Sequence, residues 1–406
     1  MSARQTFEFQ QNSLTIYSFK SAVHRLENVM KTLFKSLRRI CLLLAVVAIA
    51  FTIPAIAQTK PELEVVAELE VAPGNIAVGS EGRIFLSLHQ AYQPELKVVE
   101  LLNDGSVEPF PNRDWNNIPD EDGTGIYSVL GIQADRQGIV WMLDNAEGIP
   151  YQEGGTPKVI AWNTIEERLE RVIPIPNPVS RSDSFINDLA VDRLHNALYF
   201  ADVRGGEGPA IIVVDLNTGL TRRVLSNHSS LQAEADAPII IDGRETRNLG
   251  EDGQPVQHRS GLNPITLDPD ANWVYYGSMH GTSVWRISTT DLLNASLSEK
   301  LGERVERYGD KPVSDGISID KAGNVYITDL NNKAIGITKP DGSYEILVQD
   351  ERLLWPDSLS AGEDGYMYVA VNQLHLSPPL NAGENESQPP YYVMRFKAPA
   401  KLVPGR

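Results

Sequence analysis

One phrase, repeated along the chain, constrains the fold more than any other feature. Residues 314–329, SDGISIDKAGNVYITD, set Ile317 and Ile319 in alternation with small or polar residues, turn at Lys321-Ala322-Gly323-Asn324, and alternate again through Val325-Tyr326-Ile327-Thr328. Two period-2 apolar runs joined by a Gly/Asn turn specify a β-hairpin. The phrase can be laid over 74–78 with 83–86, 130–134 with 139–142, 187–192 with 197–200, 263–268 with 273–276, and 357–361 with 366–369, giving six copies. Their spacing, roughly 40 to 75 residues, falls in or above the range in which repeats build propellers and arrays. Further β-like pairs lie between the copies, such as 97–101 with 105–108 and 334–337 with 343–347. About four strands per repeat and six repeats predict an all-β, six-bladed β-propeller.

The two ends of this array call for each other. Residues 62–70, ELEVVAELE, alternate well but have no partner in the first repeat, and 391–396 end the array one strand short of a blade. The N-terminal strand is therefore expected to complete the last blade, which closes the ring and removes open sheet edges. The propeller is expected over 58–400. Residues 226–260, long and polar, interrupt the rhythm and are expected to form either a lid over the propeller mouth or a simple surface excursion; 381–390 make a shorter loop in the sixth repeat.

Residues 1–57 read as an N-terminal extension ending in a signal peptide, with Met30 as the expected true start. Lys31, Lys35, Arg38 and Arg39 precede an apolar run over 40–53, and Ala55-Ile56-Ala57 supplies an A-x-A cleavage site. Cleavage after Ala57 would deliver the chain to the periplasm or the exterior; the alternative is an N-terminal membrane anchor. Cys41, the single cysteine, stands at the front of the apolar run, so lipidation is not expected and the mature chain would lack any thiol. Arg38-Arg39 is a twin arginine without the rest of a Tat motif.

Charge narrows the partners. Residues 1–57 carry a net +5, so the remainder carries −22 against −17 for the whole chain. Such a surface repels nucleic acid and anionic membranes. With no sheet edge to share, a monomer is expected.

Several segments resemble the major royal jelly protein/yellow family: 185–192, FINDLAVD, followed by 199–202, YFAD; 314–320, SDGISID, with 326–330, YITDL; and above all Trp355-Pro356-Asp357-Ser358 with Asn372-Gln373-Leu374-His375. The resemblance implies a secreted six-bladed propeller, often described in bacteria as related to dopachrome tautomerase. Insect members act in pigmentation, in nutrition, or as binders of small aromatic amines and lipids. The mature chain lacks the cysteines of the insect pattern.

A more distant resemblance is to the gluconolactonase/regucalcin propellers, where a divalent ion sits on residues that start the innermost strands. The corresponding positions here are Gly74, Leu130, Asn187, Asn263, Asp315 and Asp357. Asn187, Asn263 and Asp315 match that family's ligands, Gly74 replaces its Glu, and Asp357 adds a carboxylate. Two amides and two carboxylates on one axis suit Ca²⁺ or another divalent cation. The same residues also suit Asx turns at strand starts.

Strand ends on that face should line the mouth with His89, Asp144, Asn145, Asp202, His280, Asp329, Asn372 and His375. Of these, Asp144, Asn145, Asp202, Asn372 and His375, with Asp357, are the expected ligand-binding set. Two functions of different class follow: an exported propeller that binds a small organic ligand at its mouth, or an enzyme. The enzyme is either a metal-dependent lactonase-like hydrolase, with Asp315 or Asp329 preparing water, or a tautomerase in which His280 or His375 moves a proton. No P-loop, G-x-S-x-G, H-E-x-x-H or dinucleotide fingerprint is present.

Overall fold

The computed structural model describes residues 25–26, 28–38, 60–147, 155–204 and 208–405. The chain divides into two units, Met1–Thr59 and Lys60–Arg406. Of the first, residues 28–38 are helical; the expected cleavage site and Cys41 lie outside the described residues. No described helix is long and apolar enough to cross a membrane.

The second unit is a ring of six four-stranded antiparallel sheets. Blade 1 runs Pro73–Val78, Ile84–Leu88, Val98–Leu101 and Val107–Pro109, and blade 2 runs Val129–Ala134, Ile139–Asp144, Lys158–Asn163 and Arg168–Pro174. Blade 3 is Ile186–Asp192, Ala197–Asp202, Ala210–Asp215 and Thr221–Val224; blade 4 is Leu262–Leu267, Trp273–Ser278, Ser283–Ser288 and Glu306–Asp310. Blade 5 is Ile317–Ile319, Val325–Asp329, Ala334–Thr338 and Tyr344–Gln349. Blade 6 takes Pro356–Ala361, Tyr366–Val371 and Tyr391–Lys397 from the end of the chain, and Leu63–Leu69 pairs antiparallel with the last of these, Leu63 opposite Phe396 and Leu69 opposite Tyr391. Each predicted hairpin is thus the inner half of a blade, and the N-terminal strand completes the ring.

The period-2 alternation puts an apolar set on each face of every blade, and neighbouring faces bury them together. Tyr199, Ile211, Leu262 and Tyr276 join blades 3 and 4; Ala77, Phe85, Ile132 and Met142 join blades 1 and 2; Leu86, Val99, Ala370 and Val393 join blades 6 and 1. The core is therefore six inter-blade layers. A further cluster, Ile239, Ile241, Trp355, Leu374 and Leu380, lies where the 226–260 segment meets blade 6.

That segment contains two small hairpins, Ile240–Ile241 with Arg244–Glu245 and Arg247–Leu249 with Pro255–Gln257. It is tied to the body of the ring. Ile240 N donates to Asn331 Oδ1 at 2.8 Å, Lys333 pairs with Asp242 at 2.6 Å, and Arg247 N donates to Leu380 O at 2.9 Å.

Candidate functional site

The inner strands begin at one end of the central channel, and there the ring opens into a cavity of about 1280 Å³. Its floor carries Asn75, Asn187, Asp188, Asn263, Asp315 and Asp357; its rim carries Ile118, Leu249, Val256, Pro378, Pro379 and Leu380. Of the rim, Ile118, Leu249 and Val256 are exposed although apolar. The 226–260 segment supplies the wall from Asn248 to Ser260, facing the loop around Pro378.

Two glycines let the floor form. A Cβ at Gly316 would stand 2.3 Å from Asp357 O, and one at Gly131 would stand 2.8 Å from Asn187 O. Adjacent inner strands pass too closely there for any side chain, which brings the axial residues together.

The floor is a chain of amides and carboxyls. Asn187 Nδ2 donates to Asn263 Oδ1, and Asn263 Nδ2 to Asp315 Oδ1. Trp355 Nε1 donates to the other oxygen of Asp315 at 2.6 Å. Trp355 is fully buried and sits at φ +63, a strained conformation for an aromatic residue. Asn372 Nδ2 donates to Asp357 Oδ2 at 2.6 Å, and Asn75 Nδ2 to Asp188 Oδ1 at 3.2 Å.

Among the described residues, no Lys, Arg or His forms an ion pair with Asp188, Asp315 or Asp357. Their pKa values respond accordingly. Burial pushes the Asp188 carboxyl up to about 7 despite the hydrogen bond from Leu189 N. Burial likewise raises Asp315, against the donors Trp355 and Asn263. Asp357 is raised well above the ordinary range by burial and then by the charges of Asp315 and Asp188. Asp188 and Asp315, each raised to about 7, exchange protons near neutrality, and the group attracts hydrogen-bond donors.

Four sequence-derived residues, Asn187, Asn263, Asp315 and Asp357, do meet at the cavity floor, and His89 lines its wall. The others do not line it. Asp144 is fully buried and accepts from Tyr127 N, Ser128 N and Ala146 N at 3.0 to 3.2 Å, clamping the loop before blade 2. Asn145 Oδ1 accepts from Ser128 Oγ. Asp202 plays the corresponding part in blade 3, accepting from Phe185 N at 3.0 Å and pairing with buried Arg223. Asp329 accepts from Asn332 Nδ2 and Tyr344 OH, both at 2.8 Å. These carboxylates stand behind the cavity wall because each has buried donors of its own to satisfy.

His280 is fully buried, its Nδ1 accepting from Ser260 N at 3.0 Å, and burial lowers its pKa to about 3. A ring so engaged has no free lone pair for general-base work at the cavity. His375 stacks on Trp355 with 7° between the ring planes, and Asn372 acts through Asp357 rather than from the lining.

As arranged, the residues expected to hold an ion are paired with one another, with Trp355 and with Asn372. Both oxygens of Asp315 and Oδ1 of Asn263 are engaged by N–H donors, and blade 1 contributes Gly74, which has no side chain. Among the described residues, no group of three or more His, Cys, Asp or Glu is placed to hold a metal ion.

Asn75 and Asp188 escaped the sequence reading. Alternation gives one inward residue per pair, but the register shifts between Pro73 and Ile76 and between Ile186 and Asp188. A bulge there turns consecutive residues to the same end of the channel. The available signal was the doubled polar pair, Asn187-Asp188, at a strand start.

Residues 127–387 match the family described as Major royal jelly protein. Major royal jelly protein 3 of Apis mellifera is 23% identical over 264 residues, covering 61% of this chain and 45% of its own length. Major royal jelly protein 1 of the same bee is 23% identical over 242 residues, 57% of this chain and 52% of its own. The chain spans about half the length of the curated relatives it matches. A gluconolactonase from Xanthomonas campestris superposes with a TM-score of 0.50 at 10% identity, over 84% of this chain and 90% of that one, a likeness of fold alone.

Proposed function

Because the chain belongs to the major royal jelly protein family, we propose that it is an exported propeller that binds a small organic ligand in the mouth cavity. One observation carries this reading: a cavity of about 1280 Å³ sets three carboxyls without cationic partners beneath an apolar rim. That size falls at or above the upper end of small-molecule sites, and an apolar wall with a few convergent polar groups is their usual chemistry. The ligand best matched to it has an apolar body and a donor-rich or cationic end that reaches Asp188, Asp315 and Asp357. Binding of 2-phenylethylamine, followed by ligand-observed NMR, tests this. Saturation transfer that disappears in Asp188→Asn/Asp357→Asn supports the reading; equal binding by the double variant refutes it.

A second reading, proton transfer on the bound ligand, is favoured by Asp188, whose carboxyl is pushed up to about 7 and so suits acid–base work at neutral pH. Hydrogen–deuterium exchange at carbon next to a carbonyl, in enolisable ketone probes, would reveal it. No exchange above the rate in the Asp188→Asn variant would reject it.

A further inference from the structure

We propose that His89 is a tautomer-locked hydrogen-bond donor in the wall of the mouth cavity, and that it selects ligands presenting a carbonyl oxygen to blade 1. The proposal rests on the reading of the cavity as a small-molecule site and specifies what that molecule must carry.

Blade 1 breaks the ring of axial side chains. Blades 3 to 6 offer Asn187, Asn263, Asp315 and Asp357, whereas blade 1 has Gly74. A Cβ built on Gly74 would meet Ser87 Oγ at 3.0 Å and Leu130 Cδ2 at 3.2 Å, with His89 Cα next at 3.6 Å, so His89 begins beside this glycine. His89 follows the strand Ile84–Leu88 and lines the cavity. Its residues lie outside the 127–387 family match.

The ring nitrogens have different duties. Nδ1 accepts the N–H of Ala91 at 3.1 Å, capping the short turn Gln90–Tyr92. A backbone N–H keeps its proton, so Nδ1 must present its lone pair, and the neutral ring must carry hydrogen on Nε2. Nε2 has no hydrogen bond to any described residue and is not among the sealed, unpartnered atoms. Burial lowers the pKa of the ring to about 4, so it stays neutral at physiological pH. Tyr92 packs edge-on at 6.0 Å and fixes the ring plane.

Several other donors around the cavity are engaged. Lys97 Nζ donates to Pro94 O and Glu95 O, Arg204 pairs with Glu147, Arg259 donates to His258 O and Ala235 O, and Asn75 donates to Asp188. The floor carboxyls meet the ligand's polar hydrogens, and His89 Nε2–H meets an acceptor. The shared chemistry is that of an aminoketone or a related carbonyl compound.

Two experiments on the full chain test this. In the free protein, long-range ¹H–¹⁵N spectra should show His89 as the Nε2–H tautomer, unchanged between about pH 5.5 and 8; an Nδ1–H tautomer, or titration within that range, overturns the proposal while leaving ligand binding intact. The probes are 2-aminoacetophenone, in its α-amino form C₆H₅COCH₂NH₂, and 2-phenylethylamine, in which a methylene replaces the carbonyl. The wild type should bind the aminoketone roughly tenfold tighter, as one hydrogen bond allows. His89→Asn supplies an amide oxygen in place of Nδ1 as the capping acceptor but is too short to reach the ligand, and should abolish the preference; His89→Gln should partly restore it. His228→Asn is the control, because His228 caps Ser229–Leu231 in the same way without lining the cavity. A preference that survives His89→Asn, or no preference in the wild type, overturns the proposal. Failure of both probes to bind the wild type refutes the cavity reading on which it stands.

Discussion

The hairpin turns and the cavity floor use buried aspartate in opposite ways. At the hairpin turns, Asp320 accepts from Ala322 N at 2.8 Å, Asn324 N at 3.0 Å and Tyr326 OH at 3.0 Å. Asp192 repeats the arrangement with Leu194 N, His195 N and Tyr199 OH, and Asp135 with Gln137 N, Ile139 N and Trp141 Nε1. Each turn carboxylate is held by backbone N–H groups and latched to an aromatic residue on the next strand. On the cavity floor, Asp315 and Asp357 are held through side-chain donors, and Asp188 through Asn75 and the backbone N–H groups of Leu189 and Ile265. The difference separates scaffold from site: backbone donors come with the fold, whereas the mouth carboxyls retain proton affinity and capacity for a ligand.

Removing a latch should have the largest effect. Asp320→Ala strands two backbone donors and a buried tyrosine hydroxyl, and should cost about 3 kcal/mol in urea unfolding. A loss as small as that of an exposed substitution would break the comparison.

Asp188→Asn should act with the opposite sign. The folded pKa of Asp188 is raised from 3.8 to about 7, so its favourable contribution is complete below about pH 4 and is lost as pH rises through 7. The variant should therefore be more stable than wild type at pH 8, by roughly 1 to 2 kcal/mol after screening by cavity water, and equal to it at pH 4. Melting curves at the two pH values decide; destabilisation at pH 8 would place Asp188 with the latches.

Trp355→Phe removes the Nε1–H that Asp315 accepts. It should destabilise by about 1 kcal/mol, more at pH 8 than at pH 4, because the lost donor favours the charged carboxyl. An effect independent of pH would mean that only packing was lost.

The smallest effect is expected from metal. Melting temperatures in calcium and in chelator should coincide, since the floor oxygens are engaged by amides and the Trp355 indole. A rise of several degrees in calcium would show that an ion can displace those donors.

Much of this was legible in the chain. Alternation, turn residues and the unpaired ends gave six blades and the closing strand, because those signals are local and recur. The shared position at each strand start also brought Asn187, Asn263, Asp315 and Asp357 to one floor. Strand-end positions were a poorer guide: Asp144, Asp202 and Asp329 occupy the expected strand ends, yet each is drawn to donors elsewhere in its own blade.

The sequence by itself determined a six-bladed ring and an axis rich in amides and carboxyls, since a period of two and a repeat need no distant partner. Only the tertiary structure decided which carboxyls remain available. Bulges turned Asn75 and Asp188 into the mouth, Trp355 reached Asp315 across 40 residues of chain, and Ala91 N–H chose the tautomer of His89. Those outcomes depend on which hydrogen-bond donors arrive from other strands and turns, and no local pattern encodes that.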